Sequence, residues 1–394
     1  MGAYDWCFYP FEKEQSPAGS LYAPEQARFR GELSIPGAFL NIPYRACCRT
    51  GYLEREPHFH RDEEYLAFVG HDVRDAFESF DAEIVMWLGE HRDDMEQIVI
   101  TAPTMVRIPK FYWHGPIEVR RLGKPLFYQP ILYSTRDYAI RQRKEPEGPI
   151  YYNTRCEGIS PAEPAEDAPV FVPGAPTQTG RYDHLVYTFE KQYTHWGDFM
   201  PPYQAYFRGH DCMPDSDIYT CYRPYMKETF IDKYPNFHPE EEYLCFIGHD
   251  MADPFGSFDA EMEFWIGPEP NRLEKHIISR PTMVRVPPFT WHCPLQYLRV
   301  SKPVYLQVLG THGKFGFCQL KRNPDGIYEI EYAGSAGHRP CVLEEGKQCT
   351  FCGKCRKNRK PAENEPKTAT EAANYYNSLI LDPDGHYSVG EEGR

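Results

Sequence analysis

The sequence predicts an all-β protein built as two tandem antiparallel barrels, and three observations carry that prediction. A block near the start recurs later at a constant offset. Within each copy, short apolar runs are broken by turn residues. Aromatic and turn-forming residues are both plentiful, with 29 Tyr, 24 Phe and 37 Pro, which favours strands and loops over long helices.

The repeat comes first. Pro57-His58-Phe59-His60 and Glu63-Glu64-Tyr65-Leu66 return as Pro235-Asn236-Phe237-His238 and Glu241-Glu242-Tyr243-Leu244. The offset is 178 residues, and it holds along the copy. Tyr4-Asp5 matches Tyr182-Asp183, and Phe29-Arg30-Gly31 matches Phe207-Arg208-Gly209. Phe80-Asp81-Ala82-Glu83 matches Phe258-Asp259-Ala260-Glu261, and Trp113-His114 matches Trp291-His292. Nine of the 14 positions from Pro57 to Gly70 are identical to their partners, too many for chance in one ungapped register. Residues 1–134 and 179–312 are therefore two copies of one fold.

The expected organisation is a first barrel over 1–140, a Pro-rich linker over 141–180, a second barrel over 181–312 and an extension over 313–394. The linker is read from its Pro, Gly and acidic content, as in Pro161-Ala162-Glu163-Pro164-Ala165-Glu166. In the first copy the expected strands are 64–69, 83–88, 97–100, 104–108, 117–120 and 126–132. Their brevity and close spacing point to an antiparallel sandwich or barrel.

Composition excludes some functions. The formal net charge of −14 argues against a nucleic-acid partner, which needs a basic face, and against an anionic membrane surface. No apolar run approaches the roughly 20 residues of a membrane span. The start, Met1-Gly2-Ala3-Tyr4-Asp5-Trp6, lacks the basic and apolar regions of a signal peptide. The expectation is a cytoplasmic protein whose 13 cysteines are free thiols or metal ligands. Association into a homo-oligomer is left open.

The chemistry concentrates at His58, His60, Glu64 and His114. Residues two apart on a strand share a face, so the first three gather at one end of a strand, with Leu66 and Phe68 continuing that face. His114 follows the turn-like Pro109-Lys110-Phe111-Tyr112-Trp113. Imidazoles with one carboxylate suit divalent Fe, Mn, Ni, Cu or Zn. Four protein donors on an octahedral ion leave two positions for substrate, water or O₂.

The pattern H-x-H-x3-E-x5-G at His58, His60, Glu64 and Gly70, followed by Pro109 and His114, resembles the two signature motifs of the cupin superfamily. With both copies counted, the chain resembles a bicupin over about 270 of its 394 residues. The resemblance implies small antiparallel barrels with a metal inside. The family includes dioxygenases, decarboxylases, isomerases, epimerases and non-catalytic binding or storage proteins. The sequence departs from the pattern in three places. Fifty positions separate Glu64 from His114, the nearest upstream glycine is Gly51, and Asn236 replaces the first histidine of the second copy. That leaves His238, Glu242 and His292 as a second set.

Arg107 and Arg285, in Met-Val-Arg strands just before the last histidine, are the expected catalytic arginines. Arg30 and Arg208 read first as structural ion pairs. The loop pairs His71-Asp72 and His249-Asp250 read as turn caps before proton relays. Tyr65 and Tyr243 have the parity opposite to Glu64 and Glu242 and face away. Val85, Tyr112 and Gly115 become Glu263, Thr290 and Cys293, which fits either one active and one structural copy or two different sites.

In the tail, Cys341, Cys349, Cys352 and Cys355 are spaced to hold zinc, an iron–sulfur cluster or nothing. The last 30 or so residues read as polar and loosely ordered around the apolar Leu379-Ile380-Leu381. The functional expectation is a metal-dependent enzyme acting on a small, oxygenated or anionic substrate. Dioxygenase chemistry comes first, with a decarboxylase or isomerase second. A binding or storage protein and an electron-transfer role for the tail stand as rivals.

Overall fold

The computed structural model describes residues 2–154, 179–193, 198–313, 316–334, 366–383 and 385–389. It contains two antiparallel barrels, each a pair of curled sheets. In the first, one sheet orders Thr104–Ile108, Glu64–Gly70, Leu126–Tyr133, Leu40–Tyr44, Glu25–Arg30 and Glu14–Gln15. The facing sheet orders Gly51–Glu54, Trp113–Leu122, Ala82–Gly89 and Glu96–Ile100. The second barrel repeats the scheme around Glu242–Gly248 and Trp291–Val300. This is a double-stranded β-helix arrangement, present twice.

Five of the six expected strands appear to within a residue or two, and the sixth, expected at 117–120, begins earlier, as Trp113–Leu122. Alternation explains their placement. Along Glu64–Gly70, the side chains of Leu66 and Phe68 enter the first barrel. Tyr65, Ala67 and Val69 point the other way, into a core shared by both barrels. A strand buried on both faces reads as an unbroken apolar run.

That shared core joins Phe29, Tyr44 and Phe127 of the first copy to Phe207, Tyr222 and Tyr305 of the second. Fully burying one such side chain contributes about 1.5–3 kcal/mol, so the two barrels form one folding unit. On the pseudo-twofold axis, Gln129 and Gln307 close a reciprocal amide pair, 3.0 Å in each direction. The Tyr222 hydroxyl donates to Gln129 at 2.9 Å, and the Tyr44 hydroxyl donates to Gln307 at 2.7 Å. Buried amides with partners specify a register that apolar contacts alone would leave loose.

The barrels also exchange strands. Phe8–Pro10, from the start of the first copy, pairs with Thr282–Val286 of the second barrel. Val186–Thr188, from the start of the second copy, pairs with Thr104–Ile108 of the first. The exchange obeys the 178-residue offset.

Two stretches differ from the sequence expectation. Residues 141–154, expected in the linker, lie in a hairpin of Ala139–Glu145 with Gly148–Thr154. Its counterpart in the second copy is Gly316–Arg322 with Tyr328–Gly334, so the structural repeat runs past residues 134 and 312. The matched Pro146-Glu147-Gly148 and Pro324-Asp325-Gly326 turns carry the signal. The second stretch lies in the tail, where Ala369–Asn377 forms a helix capped by the Thr368 side chain, which accepts from the Glu371 N–H. Its buried Ala369, Ala373 and Tyr376 pack on Trp265 and Trp291 of the second barrel, and this packing orders a segment too short to be helical alone. Among the described residues, no helix is long and apolar enough to cross a membrane.

Candidate metal centre and cavity

His58 and His60 lie on a short bridged segment just before the strand that starts at Glu64. His58 exchanges backbone hydrogen bonds with His114, at 3.0 and 2.9 Å. Between the two histidines, the Phe59 ring turns out to Trp113, 4.9 Å between centroids. The i, i+2 alternation thus aims both imidazoles inward. The side-chain nitrogens of His58, His60 and His114 lie within 4.8 Å of one another. Glu64 Oε2 stands 3.3 Å from His60 Nε2 and 3.1 Å from His114 Nε2. All four residues are buried.

The backbone sets the tautomers. Nδ1 of His60 meets the Tyr138 carbonyl at 2.6 Å, and Nδ1 of His58 and of His114 meet the Glu56 and Tyr112 carbonyls at 3.3 and 3.4 Å. A carbonyl can only accept, so each Nδ1 carries the proton and each Nε2 lone pair faces the centre. Burial, then the neighbouring His114 and His60, hold the His58 imidazole well below its usual range, which keeps it a neutral donor. Burial opposes ionisation of Glu64, yet His60 and His114 outweigh it and hold that carboxyl low. Glu64 Oε2 and His114 Nε2 are buried without a hydrogen-bond partner. Unsatisfied buried donor atoms that converge on one point fit a cation, since leaving them bare is costly.

A fifth group, Glu54, was absent from the sequence reading. Its Oε2 is 3.7 Å from His58 Nε2 and is likewise buried without a hydrogen-bond partner. Its Oε1 accepts from the Tyr128 hydroxyl at 2.8 Å. Burial raises its carboxyl above the ordinary range. The second copy has Asp232 at the matching position.

A cavity of about 510 Å³ opens over this cluster, lined by His58, Glu64, Glu54, Tyr128, Arg28 and Arg45 among others. In the second barrel, His238, Glu242 and His292 also place their ligand atoms within 4.8 Å of one another. Glu242 lies 3.5 Å from His238 and 3.2 Å from His292. Nδ1 of His238 meets the Gly316 carbonyl at 2.6 Å and Nδ1 of His292 meets the Thr290 carbonyl at 3.2 Å. Asn236 instead donates to the Tyr234 carbonyl at 3.3 Å. Both barrels therefore hold a donor set suited to a divalent cation.

The two arginines expected to be catalytic are elsewhere. Arg107 pairs in the ladder with Tyr65, and Arg285 with Tyr243, so each shares the face that looks away from the centre. Arg107 Nε donates to Glu63 at 2.5 Å and its Nη1 to the Pro214 carbonyl of the other copy at 3.1 Å. Arg285 does the same with Glu241 at 2.7 Å and the Pro36 carbonyl at 2.6 Å. Both are pins between the barrels. Arg30 forms a two-pronged ion pair with Glu14. The loop pairs join across the pseudo-twofold axis, His71 to Asp250 at 2.8 Å and His249 to Asp72 at 3.1 Å. Asp72 also caps a turn by accepting from the Arg74 N–H. Glu263 accepts from Trp265 at 2.8 Å and from Thr370 at 2.7 Å, so it anchors the tail helix. Cys341, Cys349, Cys352 and Cys355 lie outside the described residues.

Two barrels of this form, each closing on a histidine–carboxylate cluster, define a bicupin architecture. No family model matches the chain, and no curated protein matches it. Among solved structures, the R92A mutant of Bacillus subtilis oxalate decarboxylase OxdC is similar at 7% identity and a TM-score of 0.49, over 79% of this chain and 78% of that chain. Lactobacillus farciminis oxalate decarboxylase in a formate complex is similar at 9% identity and a TM-score of 0.46, over 79% of this chain and 88% of that chain.

Proposed function

We propose that the first barrel is the active site of a metal-dependent enzyme acting on a small organic anion. The observation that supports it is the convergence of His58, His60, His114 and Glu64, with unsatisfied donor atoms, beside a cavity of about 510 Å³. Such a volume suits a small organic ligand. A divalent transition ion held there would act as a Lewis acid or redox centre for a bound substrate oxygen.

The protein's own groups would do the rest. The backbone carbonyls beside His58, His60 and His114 fix the imidazoles. Tyr128 orients Glu54 against the cluster. The stacked Tyr128 and Phe68 rings, 5.2 Å between centroids, give the site an apolar wall that limits water.

Oxygen-dependent chemistry is the first reading within this class, and a lyase or isomerase the second. The test has two parts. Elemental analysis of wild type, His60→Ala and His238→Ala should find Fe, Mn, Ni, Cu or Zn, with the first-barrel equivalent lost only in His60→Ala. Oxygen uptake with a panel of hydroxy and oxo acids should then accompany turnover. Turnover without uptake would assign the lyase or isomerase reading. No metal in wild type, even after reconstitution, would sink the enzyme reading altogether.

A further inference from the structure

Two of the arginines that line the first-barrel cavity lack a close ion-pair partner. On the strand Glu25–Arg30, Gln26, Arg28 and Arg30 share the inward parity, while Ala27 and Phe29 enter the shared core. Arg30 is matched by Glu14, and Arg141, farther along the wall, by Glu56 at 2.8 Å. Arg28 and Arg45 are different. They are 6% and 3% exposed, and both line the cavity. The carboxylate nearest Arg28 is Asp137, at 3.8 Å. Among the described residues, Arg45 has no carboxylate within ion-pair distance. One of its nitrogens donates to Gln26 at 3.3 Å, its Cζ lies 3.7 Å from the centre of the Tyr22 ring, and its Nε is buried without a partner. The Tyr22 hydroxyl beside it is also buried and unpartnered. Two buried guanidiniums so weakly compensated are costly unless an anion completes the site. A guanidinium held over an aromatic ring keeps N–H groups free to fork onto an oxyanion.

The second barrel supplies an internal contrast. Arg223 stands where Arg45 does, but Tyr206 replaces Arg28, Tyr225 replaces Cys47 and Tyr297 replaces Val119. These rings are buried, with Tyr225 and Tyr297 stacked at 4.4 Å. One guanidinium among buried tyrosine rings remains there. The pair of arginines belongs to the first barrel.

We propose that Arg28 and Arg45 form an oxyanion subsite in the first-barrel cavity. The subsite takes the carboxylate or phosphate head of a substrate whose other end carries an oxygen to the histidine cluster. The inference rests on the reading of this barrel as the active site, and it narrows the substrate class to bifunctional acids larger than a single anion. Tyr22, Tyr128 and Leu53 along the wall favour a ring or an apolar spacer between the two ends.

The test is calorimetric titration of the full chain with benzoate, phenyl phosphate and the neutral isostere benzamide. Metal-loaded and chelator-treated protein are both titrated. Benzoate or phenyl phosphate should bind both forms, and the tighter of the two names the head group, while benzamide should bind at least about tenfold more weakly. Arg45→Met and Arg28→Met should each weaken the anion on the order of 10- to 100-fold. Arg45→Lys should recover part of that loss, and Arg143→Met, at an exposed position, should not alter binding. Equal binding of benzamide and benzoate to wild type would overturn the subsite without recourse to any variant, as would unchanged anion affinity in both Met variants. Anion binding in a protein that takes up no metal would keep the subsite and remove the metalloenzyme reading. One equivalent of metal without anion binding would do the reverse.

Discussion

The two barrels share a backbone, a ligand order and an axis, yet they differ in what lies around the ligands. The first has three imidazoles, two carboxylates and an open cavity faced by Arg28 and Arg45. The second has two imidazoles, one carboxylate and an interior packed with Tyr206, Tyr225 and Tyr297. Its outer face is covered by the tail helix, anchored at Glu263 and packed on Trp265 and Trp291. On the first barrel the matching Trp87 and Trp113 pack with Met95 and Phe59 instead. The two copies keep one frame, and the second sets tyrosines where the first has Arg28, Cys47 and Val119. The lesson is that a shared ligand motif does not make two equal sites. Space and charge beside the motif separate them.

The comparison can be broken most forcefully at the ligands. His60→Ala should remove the first-barrel metal and lower turnover by at least about 100-fold, since it deletes a donor outright. His238→Ala should remove only the second-barrel metal and leave turnover within about threefold, if the second barrel is structural. Elemental analysis paired with turnover checks both. A reversed pattern would exchange the roles of the barrels.

Glu54→Gln should weaken metal retention by roughly 10- to 100-fold in a chelator competition, the range for groups that support a ligand shell. Asp232→Asn in the second barrel should do less, its side chain being shorter. Equal effects would mean that Glu54 has no special place. Asn236→His runs the comparison in the other direction. By restoring a third imidazole it should tighten the second site by about tenfold, read as a slower loss of metal to chelator, without creating turnover in the second barrel.

The smallest effect concerns the axis. Burial would raise the Asp72 and Asp250 carboxyls, but hydrogen bonds from His249 and Arg74 to Asp72 and from His71 to Asp250 outweigh it and hold both low. A carboxyl depressed by folding stabilises the folded state above its unfolded value of about 3.9. That contribution is lost as pH falls through the depressed value. Denaturation midpoints at pH 7 and pH 3 should show it, and the double variant Asp72→Asn, Asp250→Asn should lose about 1 kcal/mol per pair at pH 7. It should also show less dependence on pH across that interval. An unchanged slope would rule out the clasp as its source.

What the sequence made legible follows from the repeat. The barrel fold and the clustering of His60, Glu64, His114, His238, Glu242 and His292 were readable because duplication marks what both copies keep, and His58 was readable from its spacing two before His60. The same filter hid Arg28 and Glu54, whose counterparts are Tyr206 and Asp232. Arg28 was within reach, since it shares the parity of Arg30, but an unrepeated residue drew no notice. Arg107 and Arg285 were repeated and drew notice wrongly. Only the ladder register, which seats them opposite Tyr65 and Tyr243, shows that they face the other barrel. The tail helix escaped because its order comes from Trp265 and Trp291, far away in sequence.

The exchange of edge strands has a consequence for how the chain is made. During synthesis the first barrel emerges well before Val186–Thr188, the strand that completes its edge at Thr104–Ile108. Until then that edge is open, and unpaired edges invite the wrong neighbours. Phe8–Pro10, by contrast, waits through almost three hundred residues of elongation for Thr282–Val286. Neither half is complete without a strand from the other. A chain cut between 154 and 179 would yield two pieces that each carry the other's missing edge, and they should mature only when produced together.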